Sequence, residues 1–542
     1  MKADIRHPKS ERGPKSEGRR LWFRMGCAAG GASVPASRGA RDMVGRIGLG
    51  GGRVSGCESF DKGDRAMACG DARPTEGDTR ILGFGVRRSR GGERGSVLVI
   101  VLLIVTGLIS MALYFSNAMS LELRAADNRV AGLAAEQAIE GGARYVMSLL
   151  SNYATNGYMP EYDWYEAEAV PVGVSPRTEE NPRFWLIGRD RSGQMLSEPY
   201  FSLIDEASKL DLNAEWLTAD ALVTNIPGMT YECAQAIIEW RDTNAASGLS
   251  YAQLGYEAKG RPYESTSELA MVYGMTRELL LGEDLNMNGV LDGAEEDLDR
   301  DGRATPGLLD FFTVFSRHPN TYPDGSMRTN VNDQAGLYVV LEERLGSARA
   351  MDVTNRLGQA RGQGGGGGGG GGEGGQGEQQ IASMLQFFLR SGLTSDEFAL
   401  VYNDLTATTN AFTVGRVNIN TAPAEVLACL PGMDLATAQQ IVSYRESNAV
   451  DYYSIGWLVD ALGSDHPALQ VLAEGDYITA NSYQFTADIA AVGPYGRGYR
   501  RMRYVIDTSE GFPKVIYRQD LSRLGWALGL EQRETWVARN TR

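Results

Sequence analysis

The hydrophobic pattern of the chain begins with an apolar run from Val97 to Phe115 that carries no charged residue. About 20 helical residues, at roughly 1.5 Å each, cross the ~30 Å hydrocarbon core of a membrane. The run continues without proline into "SLELRAADNRVAGLAAEQAIEGGARYVMSLL" (120–150), where apolar residues recur near helical spacing. The pattern predicts one long helix over 96–150, with its first half in a membrane and its second half outside.

Strand-like runs follow the helix at 183–188 ("RFWLIG") and 200–205 ("YFSLID"). A mostly helical region extends from there to about residue 478. Three further strand-like runs then close the chain: 484–492, 499–507 and 514–520. This order predicts an α+β fold, in which the long N-terminal helix packs on an antiparallel sheet built from 151–205 and 479–542. A large α-helical insertion at 206–478 interrupts that sheet.

The helical insertion contains two copies of one pattern. "IPGMTYECAQAIIEWR" (226–241) matches "LPGMDLATAQQIVSYR" (430–445). A short apolar-polar tetrapeptide precedes each copy, "LDLN" at 210–213 and "VNIN" at 417–420. A helix, a Pro-Gly turn and a second helix form a helix-hairpin-helix, so the insertion is predicted to hold two such (SAM-like) repeats.

The hairpin turns bear on whether these repeats bind nucleic acid. Helix-hairpin-helix motifs that do so present the amides of a Gly-x-Gly turn to a phosphate. Here Gly228 and Gly432 are retained as turn residues, but Thr230 and Asp434 replace the second glycine. An aspartate at that position repels phosphate. The hairpins therefore favour packing or protein interaction, with DNA contact as the alternative.

An acidic segment between the repeats has the spacing of a calcium loop. "DLNMNGVLDGAE" (284–295) matches the EF-hand loop, whose oxygens at positions 1, 3, 5, 7, 9 and 12 surround Ca²⁺. The predicted ligands are Asp284, Asn286, Asn288, the carbonyl of Val290, Asp292 and Glu295. The alternative is a solvated acidic loop without metal.

A second, incomplete loop starts thirteen residues later with "DLDRDG". Its candidate ligands are Asp297, Asp299 and Asp301. The twelfth position is Leu308, so this loop must borrow a ligand, with Asp310 as a candidate. The whole predicted calcium region spans 284–310, and the metal is expected to support folding rather than catalysis.

Charge and composition divide the chain further. Residues 1–95 hold 20 Lys and Arg against 11 Asp and Glu, whereas the remainder holds 33 against 57, a net charge of −24. The first 95 residues lack periodicity and are predicted to be a disordered basic leader, with Met67 as an alternative start. A nine-glycine run inside 362–377 is predicted to be a flexible loop, because it lacks the features of a phosphate-binding loop.

The chain shows no signature of an enzyme. It has three histidines and neither a Gly-x-Ser-x-Gly nor a His-Glu-x-x-His motif, which counts against zinc sites and hydrolase chemistry. Cys233 and Cys429 lie in separate hairpin helices and are expected to be two buried thiols rather than a disulfide.

A basic leader ending in Gly95, followed by Ser96 and an apolar helix, resembles the N-terminus of type IV pilins and pseudopilins. A plain single-pass anchor is the alternative. The resemblance implies that a prepilin peptidase cuts between Gly95 and Ser96. Most members have Glu at the fifth mature position, where this chain has Ile100. The chain resembles the K-type minor pseudopilin of type II secretion (general secretion pathway protein K). The features that carry this resemblance are the missing Glu at Ile100, the segments "DEASKLDLN" (205–213) and "VNINTAPAEVL" (417–427), and the twin hairpins.

The resemblance implies a non-enzymatic protein that caps the tip of the pseudopilus with the I- and J-type minor pseudopilins and supports export across the outer membrane. It also implies Ca²⁺ in the insertion and a single-pass protein of the inner membrane. The arginines before the apolar helix keep the N-terminal side cytoplasmic, which places the head in the periplasm. No nucleic-acid partner is expected. The alternative function is a membrane-anchored helix-hairpin-helix receptor for DNA uptake, against which the net charge of −24 counts.

Overall fold

The computed structural model describes residues 96–154, 157, 167–189, 198–242, 251, 254–293, 295–362 and 380–540. These residues belong to the second of two compact units, Gly92–Arg542. The predicted leader, including Gly95 and Met67, lies outside the described residues. So does the glycine run Gly364–Gly372.

One continuous helix, Ser96–Leu150, opens the described chain, as the apolar pattern predicts. Its apolar window has a mean hydropathy of 2.8, and none of that window is buried within the protein. The helix surface first becomes buried at Ala131. By length and composition this is a helix able to cross a membrane, and only its last five turns or so pack on the rest of the chain.

A six-stranded sheet packs beneath the end of the helix, and all its pairings are antiparallel. Ile204–Asp205 and Arg183–Ile187 share one edge of the long central strand, which is Gln484–Val492. In spatial order the main path of the sheet is Val170–Pro171, Arg183–Ile187, Gln484–Val492, Arg500–Asp507 and Lys514–Asp520. The predicted α+β fold with a long N-terminal helix and an antiparallel sheet is confirmed.

Alternation along the strands gives the sheet two buried faces. The front face packs on the helix, with Phe184 and Ile489 against Ala138 and Ile139. Gly142 allows this close approach, because a Cβ there would lie 3.0 Å from the ring of Phe184. The back face is a second apolar cluster of Trp185, Ile187, Ala490 and Val492 with Ala527 and Leu528. The central strands of the sheet are therefore covered on both sides, whereas the edge strand Lys514–Asp520 is mostly exposed.

The chain between the two parts of the sheet is mostly helical and has its own large apolar core. Its helices are Ala219–Asn225, Tyr231–Arg241, Arg277–Leu281, Leu308–Phe311, Gln334–Leu345, Ser347–Gly362, Met384–Ser391, Ser395–Val401, Ala424–Ala428, Leu435–Ser447, Trp457–Leu462 and Pro467–Leu472, and Gly529–Asn540 follows the sheet. Among the described residues of this region, four pairs of short strands lie between the helices: Leu210–Asp211 with Phe312–Thr313, Arg317–Pro319 with Phe412–Val414, Thr329–Asn330 with Leu405–Thr406, and Val417–Asn418 with Ile478–Thr479.

The two sequence repeats form two pairs of helices, each joined by a Pro-Gly turn, and the two pairs pack on each other. Asn225 Nδ2 donates to the carbonyl of Ala428 at 3.0 Å, and Cys429 Sγ contacts the carbonyl of Ala221 at 3.5 Å. Asn225 and Cys429 occupy equivalent positions in the two copies. The two repeats therefore contact each other through equivalent positions. Cys233 and Cys429 are buried free thiols, as expected.

Candidate metal centre and assembly surfaces

The first acidic loop wraps around the carboxylate of Asp284. The backbone amides of Asn288 and Gly289 donate to its two oxygens at 2.9 and 2.7 Å. To make this turn, Met287 adopts a φ of +57° and Gly289 a φ of +83°. Glycine accepts that conformation without strain, which explains its place at the sixth position of the loop. Asp284 is almost fully buried, so its charge lies at the centre of a compact turn.

Two amide side chains and one carboxylate meet inside this turn. Asn286 Nδ2 and Asn288 Nδ2 donate to the same oxygen of Asp292, at 2.6 and 3.0 Å. Asn286 Oδ1 is buried and accepts no hydrogen bond from the described residues. A buried oxygen with no donor is an acceptor suited to a cation. Val290, whose carbonyl is a predicted ligand, has a buried side chain.

Glu295 closes the first loop. Its Oε1 accepts from the amide of Asn286 at 3.2 Å, and its Oε2 accepts from the amide of Asp292 at 2.9 Å. The structure therefore brings the predicted ligands of this loop together. Burial raises the pKa of Asp284 and of Glu295, because charged carboxylates lose hydration there. A bound divalent cation would offset that cost.

The second loop has the same backbone conformation as the first. Arg300 and Gly302, at its fourth and sixth positions, have φ values of +62° and +77°. The amide of Gly302 donates to Asp297 Oδ2 at 3.0 Å, matching the bond from Gly289 to Asp284. Asp301 accepts from the amide of Arg303 at the exposed side of this turn. The two segments are thus a structural repeat with a period of thirteen residues.

Glu283, which is not among the residues predicted from the spacing, occupies at the second loop the place that Glu295 has at the first. Its Oε1 accepts from the amide of Leu298 at 2.7 Å, and its Oε2 accepts from that of Thr305 at 3.0 Å. Thr305 is the ninth residue of its loop, just as Asp292 is the ninth of the first. Oxygens of Glu283, Asp297 and Asp299 lie within 4.8 Å of one another.

Asp310 lies beside the first loop rather than at the second. Arg189 donates to its Oδ1 from Nε at 3.1 Å and from Nη2 at 2.8 Å. The same Nη2 is 3.9 Å from Asp284 Oδ2. The ion pair therefore borders the first loop, and Asp310 is a neighbour of that site.

The hairpin turns use their polar residues as helix caps. Thr230 Oγ1 accepts from the amide of Cys233 at 3.3 Å, and Asp434 Oδ1 accepts from that of Thr437 at 2.8 Å. Hydrogen bonds from Thr437 lower the pKa of Asp434, which keeps this carboxylate ionised. The turn glycines have positive φ, +71° at Gly228 and +75° at Gly432, as predicted.

The arginines that end the two hairpins point inward. Arg241 donates to the carbonyls of Leu212 and Leu217, and Arg445 donates to that of Ile419 at 3.0 Å. Leu212 and Ile419 are the third residues of the tetrapeptides that precede the repeats. These guanidinium groups hold each repeat together, and their bonds to main-chain carbonyls reduce what they can offer to a phosphate.

Individual apolar residues of the long helix remain exposed beyond the apolar run Val97–Phe115. Ile100 is 58% exposed, and Leu121, Leu123 and Val130 remain exposed further along. In water such a surface needs a covering partner. The exposed helix is therefore consistent with a membrane anchor.

The chain is similar to one known protein family and to a solved structure. Residues 417–466 match the family model described as "Type II secretion system (T2SS), protein K". A solved structure, the GspK-GspI-GspJ complex from the enterotoxigenic Escherichia coli type 2 secretion system, is similar at 10% identity and a TM-score of 0.32. That similarity covers 71% of this chain and 96% of the other. No curated protein sequence matches this chain. The family match lies on the second hairpin repeat, and it confirms the resemblance to protein K of the type II secretion system that the residues predict.

Proposed function

We propose that this protein is a minor pseudopilin that caps the pseudopilus of a type II secretion system and supports protein export across the outer membrane. The observation that carries the proposal is the long helix, which is apolar from Val97 to Phe115, stays largely exposed as far as Val130 and packs on an antiparallel sheet at its end. The segment that matches protein K lies within the same compact unit. The role is structural, not catalytic.

The proposed location is the inner membrane, with the N-terminal side in the cytoplasm and the head in the periplasm. Four arginines before the helix support this orientation, since positively charged segments stay cytoplasmic. A prepilin peptidase would cut after Gly95. The apolar helix would then pack among the helices of other pseudopilins, with the I- and J-type minor subunits as partners at the tip.

Peptidase cleavage is the direct test of the pseudopilin assignment. The full chain is co-expressed with a prepilin peptidase, and the N-terminal residue of the membrane-bound product is determined. We expect Ser96, and we expect Gly95→Val to block processing. Gly91→Val, in the same leader, is the matched control and should be processed normally. A product that retains Arg94, or one cut beyond Phe115, would contradict the assignment.

The tip position can be tested by crosslinking from the exposed helix. Ile100 replaces the carboxylate that would meet the first amine of a neighbouring subunit, and a tip subunit has no neighbour above it. A photo-crosslinker at Leu123, which is 65% exposed, should capture smaller pseudopilins in assembled fibres. Recovery of mainly self-contacts along the fibre would make the protein a major subunit instead.

We further propose that the two acidic loops bind Ca²⁺ as a folding element of the head. In the first loop the ligands would be those that the spacing predicts, and the buried, unbonded Asn286 Oδ1 fits this assignment. In the second loop Asp297, Asp299 and Asp301 would bind a second ion, with Glu283 as the closing carboxylate. Asp297 Oδ1 is likewise buried without a hydrogen bond from the described residues.

Calcium binding is tested by the melting temperature of the full chain in detergent, in Ca²⁺ and in chelator. Binding to the folded state alone adds about 2.7 kcal/mol at a hundredfold excess over Kd. Glu295→Gln should remove most of this stabilisation. Glu296→Gln changes an adjacent exposed carboxylate and is the matched control. If chelation leaves the melting temperature of metal-loaded protein unchanged, the segment is a solvated acidic loop.

A further inference from the structure

The first acidic loop covers part of the back face of the sheet, and Arg501 joins the two. Arg501 lies on the strand Arg500–Asp507 and its side chain is fully buried. Its Nη2 donates to the carbonyl of Met287 at 2.7 Å, and its Nη1 donates to that of Asn286. One guanidinium from the C-terminal part of the sheet thus holds two consecutive carbonyls of a loop more than 200 residues away in sequence.

The other side of this guanidinium is bound to the sheet itself. Arg501 Nε and Nη2 donate to the two oxygens of Asp488 at 2.7 and 2.9 Å. Asp488, on the central strand, is also fully buried and accepts from Arg503 at 3.1 Å. Although burial opposes ionisation, the two arginines lower the pKa of Asp488, so the carboxylate stays charged. Arg501 therefore has a fixed position, set by strands that pack on the long helix.

The loop carbonyls that Arg501 binds belong to the tightest part of the turn. Met287 is the residue with a φ of +57°, between the predicted ligands Asn286 and Asn288. Its carbonyl also accepts from Arg189 Nη1 at 3.1 Å, and Asn286 Nδ2 reaches the carbonyl of Trp526 at 3.3 Å. These contacts fix the loop backbone from outside the ring of ligand oxygens.

We propose that Arg501 is a positioning residue for the calcium loop, so that ion binding and the packing of the sheet's back face are coupled. This inference rests on the proposed calcium function. Outer contacts that orient ligands typically change metal affinity by about 10- to 100-fold. Coupling is reciprocal: if the sheet holds the loop in its binding conformation, the bound ion must in turn stabilise the sheet strands that hold the loop.

Lysine cannot replace this arginine. A guanidinium has five N–H donors in a planar fork and can bind two carbonyls and a carboxylate together. An ammonium has three donors at one point. Arg501→Lys therefore keeps the positive charge beside Asp488 and removes the simultaneous contact with the loop. Arg503→Lys perturbs the same carboxylate, but its guanidinium makes no contact with the loop among the described residues.

The test measures Ca²⁺ affinity by calorimetry on the full chain in detergent. We expect Arg501→Lys to raise the Kd of the site in the first acidic loop at least about tenfold. Arg503→Lys should stay close to the wild type. Equal Kd values for the wild type and a folded Arg501→Lys would overturn the inference. No Ca²⁺ binding by the wild type would instead refute the proposed calcium function itself.

A second measurement needs no variant and covers the case in which Arg501→Lys fails to fold. Hydrogen exchange of the wild-type chain is compared in Ca²⁺ and in chelator. Amides of residues 488–492 and 500–503 should exchange more slowly with the ion bound. The helix Met384–Ser391, in the separate core of the insertion, serves as the internal reference. If protection rises within 284–295 but not in these strands, the loop and the sheet are uncoupled and the inference is wrong.

Discussion

Replacing His318 should make the stability of the protein less sensitive to acid. The His318 ring is fully buried, its Nε2 lies 3.1 Å from the carbonyl of Asn481, and it packs edge-on against Tyr483. Burial, followed by the positive charges of Arg416 and Arg328, lowers the pKa of His318 to about 3. In the unfolded chain a histidine has a pKa of about 6.5. The folded state therefore holds this ring neutral at a pH at which the unfolded chain protonates it.

The sign and size of the effect follow from that difference. Because the folded pKa is depressed, stability is fully present above about pH 6.5 and is lost as the pH falls toward 3. pH 5 lies about 1.5 units below the pKa of histidine in the unfolded chain. Protonation of this ring therefore stabilises the unfolded state by about 2 kcal/mol at that pH. Other titratable groups also make the stability sensitive to acid. Their contributions cancel when the wild type is compared with a variant that lacks only this ring.

The assay is urea unfolding of the full chain in detergent at pH 7.5 and pH 5.0, followed by tryptophan fluorescence. His318→Gln, whose amide can still reach the carbonyl of Asn481, should lose about 2 kcal/mol less than the wild type between the two pH values. His466→Gln removes a partly exposed helix cap and is the matched control, expected to keep the wild-type difference. Equal losses in the wild type and His318→Gln would refute the reasoning.

Three further predictions concern packing and nucleic acid. Gly142→Leu should destabilise the protein by about 1–3 kcal/mol in thermal unfolding, because the added side chain meets the ring of Phe184. Gly107→Leu in the same helix, where a Cβ has no neighbour within 4 Å, should cost much less. Cys429, whose pKa burial raises to about 12, and the buried Cys233 should resist maleimide in the native protein and react fully in denaturant, as mass spectrometry can show. In filter binding across a salt series, DNA retention should show no steep dependence on salt concentration. A steep decrease of the binding constant with salt, as several phosphate contacts produce, would support the DNA-receptor alternative.

Much of this architecture could be predicted because its signals are local. Helical and alternating periodicities depend on residues a few positions apart, so they predict the long helix and the three C-terminal strands close to their observed bounds. The hairpins could be recognised from their repeated Pro-Gly turns. The first acidic loop could be recognised because one short segment contains all its predicted ligands, from Asp284 to Glu295.

The tertiary structure decided what joins these parts. Glu283 precedes the loop that it closes. The EF-hand spacing takes the closing ligand from the twelfth residue of the loop itself, so this template could not have assigned Glu283. Distance along the chain makes Asp310 a candidate for the second loop, but Arg189, 121 residues earlier, holds it beside the first. The contacts of Arg501 could not be predicted from the sequence either, because its partners lie on another strand and on a loop more than 200 residues away. The physical reason is that an arginine side chain forms such hydrogen bonds only after packing has brought distant segments of the chain together. Helices, strands and compact loops, in contrast, depend on residues that are close to one another in sequence.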